Sequence, residues 1–296
     1  MRRLLGLALA AAALGGSAFW GLTRPLPLPE ARFSGLTGDA LRGEAVFDAT
    51  GCASCHMAPG ASAEARLVLA GGQAFVSDFG TFLAPNISPD PQHGIGGWSL
   101  GDFANALQRG ISPEGAHYYP ALPYGAYSRM EPQEVADLFA YMQTLPTDAT
   151  PSQPHQIGFP FSVRRLVGGW KLLNTPPDFV VQGPLSEAET RGRYLVEAMA
   201  HCGECHTPRN ALGGLDTSRW LAGAPNPSGQ GTIPNITPAK LDWSEGEIIA
   251  YLTSGFTPDY DSAGGHMVPV IENMARLPES DRAAIAAYLK KVPAVE

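Results

Sequence analysis

Apolar and polar positions in this chain fall into one long uninterrupted run and two sets of shorter amphipathic stretches. The run is uncharged from Leu4 to Leu22, with Arg2 and Arg3 before it and Arg24 after it. Its 19 residues approach the roughly 20 that a helix needs to cross a bilayer. A cleaved secretory signal has a shorter apolar region of about 7–15 residues and a small-residue cleavage site. Gly16-Ser17-Ala18 is a weak site of that kind, and Phe19 and Trp20 suit an interfacial anchor better. The length therefore favours an uncleaved anchor helix within residues 1–24, and either fate carries the rest of the chain out of the cytoplasm.

The amphipathic stretches come in pairs. Arg42-Gly43-Glu44-Ala45-Val46-Phe47 and Arg191-Gly192-Arg193-Tyr194-Leu195-Val196 each read as a short helix, the second opened by the capping pair Ser186 and Glu189. Helices are predicted over residues 100–109, capped by Ser99 with Asp102, and 245–254, capped by Ser244 with Glu247. A last pair covers 132–145 and 278–292, each with Pro at its start and Pro146 or Pro293 past its end. Between the pairs, Pro85-Asn86-Ile87-Ser88-Pro89 answers Pro234-Asn235-Ile236-Thr237-Pro238. These read as rigid turns. The chain is thus a tandem duplication: residues 36–146, a proline-rich linker over 147–184, and residues 185–293. Inside the linker, residues 163–173 form a basic, apolar segment. It reads as a strap between the halves, with contact to a membrane surface or partner as the second reading, and Gly168-Gly169 weakens any claim to a regular helix.

All four cysteines belong to two C-x-x-C-H motifs, Cys52-Ala53-Ser54-Cys55-His56 and Cys202-Gly203-Glu204-Cys205-His206. This is the c-type haem attachment pattern. Two thiols at this spacing reach two vinyl groups of one porphyrin edge, and the adjacent His falls beneath the iron. A single all-cysteine zinc site would leave the two histidines without a purpose, and the βαβ context of a redox C-x-x-C is not visible. The motifs, with a helix before the attachment site, loops around the cofactor and a helix at the end, predict an all-α protein of two tandem class I cytochrome c domains. Each would hold one haem c through Cys52 and Cys55, or Cys202 and Cys205, with His56 and His206 as proximal ligands.

The sixth ligand decides whether each iron is closed, and Met there raises the potential. In the second half Met267 is the first choice, ahead of Met274 and His266. In the first half Met130, just before the last helix, is preferred to Met142, His93, His117 and Met57. A methionine is also a common core filler. No general acid, base or nucleophile is needed, so no catalytic residue is assigned.

Composition narrows the picture further. The 34 glycines and 27 prolines imply much loop, as suits domains whose cofactor supplies part of the core. A net charge of −8 argues against nucleic acid, whose binders carry basic patches.

The chain resembles the membrane-bound cytochrome c subunits of bacterial alcohol, aldehyde and gluconate dehydrogenases. The resemblance runs from about Gly38 to Leu289. It is carried by Gly80-Thr81 through Asn86-Ile87-Ser88-Pro89, Gly94-Ile95-Gly96-Gly97-Trp98-Ser99 with Asp102-Phe103, Tyr119-Pro120-Ala121-Leu122-Pro123-Tyr124, and Cys205-His206-Thr207-Pro208-Arg209-Asn210. It implies a carrier of single electrons from a periplasmic or membrane-bound dehydrogenase to a cytochrome, quinone or oxidase. Such a carrier is anchored at the periplasmic side of the inner membrane, or lies in the periplasm if the signal is cleaved. Better-known members carry three C-x-x-C-H motifs where this chain has two, and often a Met where this chain has Leu122; other similar sequences have a Met at the place of Met130. The alternative reading is a dihaem enzyme, a peroxidase or a thiosulfate-oxidising cytochrome.

Overall fold

A computed structural model describes residues 2–227, 229 and 231–296; Met1, Ser228 and Gln230 lie outside the described residues. Helix α1 spans Arg2–Leu22. The first half contains α2 (Ala40–Thr50), α3 (Cys52–His56), the hairpin β1 (Ala74–Ser77) and β2 (Gly80–Leu83), α4 (Leu100–Ala104), α5 (Tyr124–Tyr127) and α6 (Pro132–Met142). A linker helix α7 (Arg164–Asn174) follows. The second half repeats the order with α8 (Glu187–Tyr194), α9 (Gly203–His206), the hairpin β3 (Ala224–Pro225) and β4 (Thr232–Ile233), α10 (Glu245–Ser254), α11 (Met267–Met274) and α12 (Glu279–Lys291). The fold is mostly helical. The two antiparallel hairpins, paired from Ala74 with Leu83 and from Ala224 with Ile233, are additions to the all-α expectation. Four and two residues long, they are too short to give a period-2 pattern.

In each half the first and last helices cross at a glycine. A Cβ on Gly43 would run into the Asp137 carbonyl and the Tyr141 side chain of α6. One on Gly192 would meet the Ala284 carbonyl and Tyr288 of α12 in the same way. The preceding arginine clamps each crossing: Arg42 Nε and Nη2 donate to Asp137 at 2.8 and 2.9 Å, and Arg191 Nε and Nη2 donate to Asp281 at 2.9 Å each. Such paired donation to a carboxylate is the stronger kind of hydrogen bond. All three serine capping boxes form, with Ser99, Ser186 and Ser244 each accepting the backbone N–H three residues on.

The halves differ by one residue between the crossing glycine and the first cysteine. The helix absorbs it as a π turn over Leu195–Met199, directly after α8. π turns appear mostly as single-turn bulges within α-helices, and a second one follows α4 over Asn105–Arg109. One turn before each motif an acid is buried, Asp48 in the first half and Glu197 in the second. Glu197 accepts from Val180 N at 2.5 Å, Val181 N at 3.2 Å and the Tyr288 hydroxyl, so it stitches the end of the linker onto the second half.

Helix α7 is regular despite its paired glycines. Gly168 lets it approach the Thr23 carbonyl and the His117 ring more closely than any Cβ allows. It bridges both halves. Lys171 Nζ donates to the carbonyls of Arg109 (2.6 Å) and Gly110 (2.7 Å) over the Tyr124 ring, while Trp170 Nε1 donates to Leu212 O at 2.7 Å. The buried cores of the two halves are continuous.

Overpacking a crossing glycine costs about 1–3 kcal/mol. Gly43→Val is therefore expected to lower the thermal midpoint of the haem-loaded protein. Gly101→Ala, whose Cβ meets only ordinary contact with Ser99, is expected to leave it level or raise it slightly. Equal midpoints for G43V and wild type in a thermal melt would refute the crossing argument.

Candidate haem-binding sites

Each motif sits on a one-turn helix entered through a left-handed residue. Gly51 (φ 65°) fills that role before Cys52, and His201 (φ 42°) fills it before Cys202. The half-buried His201 ring lies edge-on against Tyr127, 5.5 Å between centroids. Thr50 Oγ1 lies 3.3 Å from Cys52 Sγ. All four cysteines are free of disulfides. Burial raises the Cys52 and Cys55 thiols to about 11 and Cys202 to about 12, and Cys205 shifts upward for the same reason.

The two histidines are held identically. His56 Nδ1 donates to Pro85 O at 2.9 Å, and His206 Nδ1 donates to Pro234 O at 2.8 Å. With the proton fixed on Nδ1, the Nε2 lone pair is free to bind a metal; a second partner of this kind is how proteins orient ligating imidazoles. Burial lowers both histidines from the ordinary value, outweighing the carbonyl bonds that raise them, and so favours the neutral ring that a metal requires. Gly71 N and Gly223 N bond back to the carbonyls of His56 and His206, each at 2.7 Å. The repeated Pro-Asn-Ile turns position those acceptors. Asn86 Nδ2 donates to the carbonyls of Asp148 and Thr150, and Asn235 Nδ2 donates to Val295 O, so each turn is tied to the chain beyond the last helix. The repetition of the turns is plain in the sequence; that a proline carbonyl is the histidine's partner is not.

Paired thiols, a neutral imidazole with a free Nε2 and an enclosing apolar core fit a c-type haem in each half. Among the described residues, no three His, Cys, Asp or Glu side chains group as a metal ion would need.

Among the candidates for a sixth ligand in the second half, Met267 opens α11 and is half-buried. Met274 is enclosed within the core, and His266 is exposed with its ring 6.3 Å from Phe75. In the first half Met130 and Met142 are both enclosed at 1% exposure, whereas Met57 directly follows His56. The backbone N–H of Met130 donates to Tyr127 O at 3.0 Å, and its carbonyl accepts from Gln108 Nε2 at 2.8 Å. Both ring nitrogens of His117 are engaged, by Thr23 O and Lys171 Nζ. His93 lies in a turn closed by Asp90.

The two sites adjoin. Asn273 of α11 donates to Ser54 Oγ inside the first motif at 2.8 Å, and Tyr127 of α5 donates to Thr50 O while packing on His201. Cys205 is near enough to Cys55 to contribute to the rise of its thiol. The attachment turns therefore face each other across the contact between the halves, an arrangement that has no signal in the spacing of the motifs.

Comparison with known proteins agrees with this geometry. The cytochrome c family profile matches residues 40–146 and 190–293. A dihaem c-type cytochrome of Cereibacter sphaeroides is 60% identical over 296 residues, covering 100% of both chains. The cytochrome subunit of fructose dehydrogenase from Gluconobacter japonicus is 40% identical over 262 residues, 86% of this chain and 52% of that one. The cytochrome c subunit of gluconate 2-dehydrogenase from Pantoea cypripedii is 34% identical over 272 residues, 86% of this chain and 60% of that one. The chain thus spans between half and two thirds of the length of these two dehydrogenase subunits. With one family match and one complete haem motif in each half, it belongs to the cytochrome c family as an electron-transfer protein with two haem c groups.

Proposed function

We propose that this chain is the electron-carrying cytochrome subunit of a dehydrogenase assembly at the periplasmic face of the bacterial inner membrane. In this reading residues 36–146 and 185–293 are class I cytochrome c domains, 147–184 the linker and 1–24 the anchor. Cys52 and Cys55 hold one haem through thioethers, Cys202 and Cys205 the other. His56 and His206 are the proximal ligands, and Met267 is the distal ligand of the second iron. The haems, when bound, supply a one-electron iron couple. The residues of the chain fix the two imidazoles through the Pro85 and Pro234 carbonyls, enclose the porphyrins in apolar surroundings, and bring the two attachment edges together.

The observation that carries the reading is the adjacency of the two attachment turns, with Asn273 on Ser54 and Cys205 beside Cys55. It gives an electron a short passage from one porphyrin edge to the other. The dehydrogenase donor is supported by the relatives named as cytochrome subunits of fructose, alcohol and gluconate dehydrogenases. The acceptor is a cytochrome, a quinone or an oxidase.

Anchoring is supported by α1 itself. Arg3–Leu22 has a mean hydropathy of 1.6 and none of it is buried against the rest of the protein. Its C-terminal end is fastened to the domains. Thr23 is 2% exposed, its carbonyl accepts from His117 Nε2 at 2.9 Å, and its hydroxyl accepts from Arg165 Nε at 3.1 Å. The Arg165 guanidinium also lies 4.2 Å from the Trp20 ring centroid. A segment destined for removal has no need of such a seat.

Three outcomes are expected. Replacing Cys202 and Cys205 together by Ala halves the haem content in a pyridine haemochrome assay; an unchanged content would remove the second attachment site. Membranes washed with high salt retain the haem, while deleting residues 2–22 behind a cleavable signal releases it to the periplasm. A mature N-terminus beginning past residue 18 would sink the anchor. In membranes, a substrate of the partner dehydrogenase (an alcohol, sugar or sugar acid) reduces the haems within one assay; haems that stay oxidised with every such substrate count against the donor.

A further inference from the structure

The duplicated halves act as internal references for each other. After α4 and after α10 the chain turns through a left-handed glycine, Gly110 (φ 57°) and Gly255 (φ 77°). Each glycine leads into an isolated antiparallel bridge, Ile111 with His117 and Phe256 with Ser262. Tyr118 N donates to Gly110 O at 2.7 Å, and Ala263 N to Gly255 O at 2.8 Å. Four residues further on, Leu122 N donates to Tyr119 O and Met267 N donates to Gly264 O, both at 3.2 Å. The spacing between the halves is constant throughout, so Leu122 occupies the backbone position of Met267.

A second set of bonds registers the chain just before the last helix. Gln108 Nε2 donates to the carbonyls of Tyr127 (3.1 Å) and Met130 (2.8 Å). Arg282 Nη1 donates to the carbonyls of Met274 (3.1 Å) and Leu277. Met130 N bonds to Tyr127 O at 3.0 Å, and Leu277 N to Met274 O at 3.1 Å. Met130 therefore stands where Leu277 stands in the second half, and both are enclosed by protein, at 1% and 4% exposure. Two extra residues in the second half fall between the two registers, within α11.

Burial separates the same residues. Side chains that line a haem crevice keep a face clear of other protein groups. His56, His206, Met267 and Leu122 are all half-buried, whereas Met130 and Met142 are sealed in the core. Of the other nitrogen donors in the first half, His117 and His155 are occupied, whereas His93 Nδ1 lies 3.4 Å from Asp90 without a hydrogen bond and is left to the test below. His117 has both ring nitrogens bonded, and His155 Nδ1 accepts from Leu83 N at 3.1 Å, which leaves its proton on Nε2.

From this registration we infer that the first haem is open on its distal side, where Leu122, which has no lone pair to give, replaces the methionine that closes the second. Met130 is then a core residue, and the first ferrous iron takes a small neutral π-acceptor such as carbon monoxide. The inference rests on the assignment of Met267 to the second iron and is independent of which dehydrogenase donates electrons.

The test is a carbon monoxide titration of the purified, dithionite-reduced two-haem protein, read by its Soret difference spectrum. Wild type is expected to take up one molecule for every two haems. Leu122→Met is expected to abolish that uptake and to add a second methionine–iron charge-transfer band to the oxidised spectrum. Met130→Leu is expected to keep the wild-type stoichiometry, and Met267→Leu to double it. No uptake by wild type, with uptake appearing in M130L, would make Met130 the ligand and overturn the inference. No uptake by either, with a bis-histidine signal in electron paramagnetic resonance, would overturn it in favour of a histidine such as His93. Full uptake retained in L122M would also overturn it. Two molecules taken up by wild type, or one by M267L, would instead defeat the Met267 assignment and the inference with it.

Discussion

Two helix crossings closed to the width of a glycine govern the rest of this structure. At Gly43 and at Gly192 the backbone of one helix lies against a carbonyl of another, and a bidentate arginine–aspartate pair beside each glycine prevents sliding. Once the crossing is fixed, the length of helix that follows sets where the cysteines and the histidine fall. The second half must fit one more residue into that length and does so with a π turn, not by moving the motif. The left-handed entry to the motif is equally constrained. It takes glycine at position 51 but tolerates His201, whose ring is stabilised by the Tyr127 face. Backbone placement is held constant, and the side chains change around it.

The contact between halves follows from the same repetition. Short helices before the last helix of each half, α5 in one and α11 in the other, pack against the attachment turn of the opposite half, through Tyr127 on His201 and through Asn273 on Ser54, and Tyr127 also holds Thr50 of its own half. These reciprocal contacts bring the two cysteine-bearing turns together. Because the contact uses the residues in and beside the attachment turns themselves, each haem site is mechanically close to the other. Helix α7 and the Glu197 carboxylate, which hold the linker to both halves, add rigidity where a hinge would lengthen the path between irons.

Much of this was legible in the sequence because its causes are local. A C-x-x-C-H motif states its own chemistry, a serine three residues before an acid states a helix start, and a proline states a helix end; all three serine caps form where the spacing puts them. What was not legible depends on residues far apart in the chain. The hairpins are too short to show a period. The regularity of α7 across Gly168-Gly169 depends on Thr23 and His117 lying against it. The partner of each proximal histidine is a main-chain carbonyl, to which residue type gives no clue, although the repeated Pro-Asn-Ile turns mark the place.

The distal side of the first haem illustrates what residue type alone leaves undecided. Methionine serves equally as an iron ligand and as an adaptable filler of irregular core space, so a Met just before the last helix satisfies a search by type and position. Counting residues from the motif does not separate the two roles, because loops between the fixed helices differ in length between the halves. Hydrogen bonds to the backbone give the register on which the inference drawn above separates them. They are set by the turn the chain must make, they recur at Leu122 and Met267 and again at Met130 and Leu277, and they persist when the side chain above them changes. A duplicated protein therefore carries its own control: where the backbone register is shared and the side chain differs, the difference belongs to that site's chemistry and not to the fold.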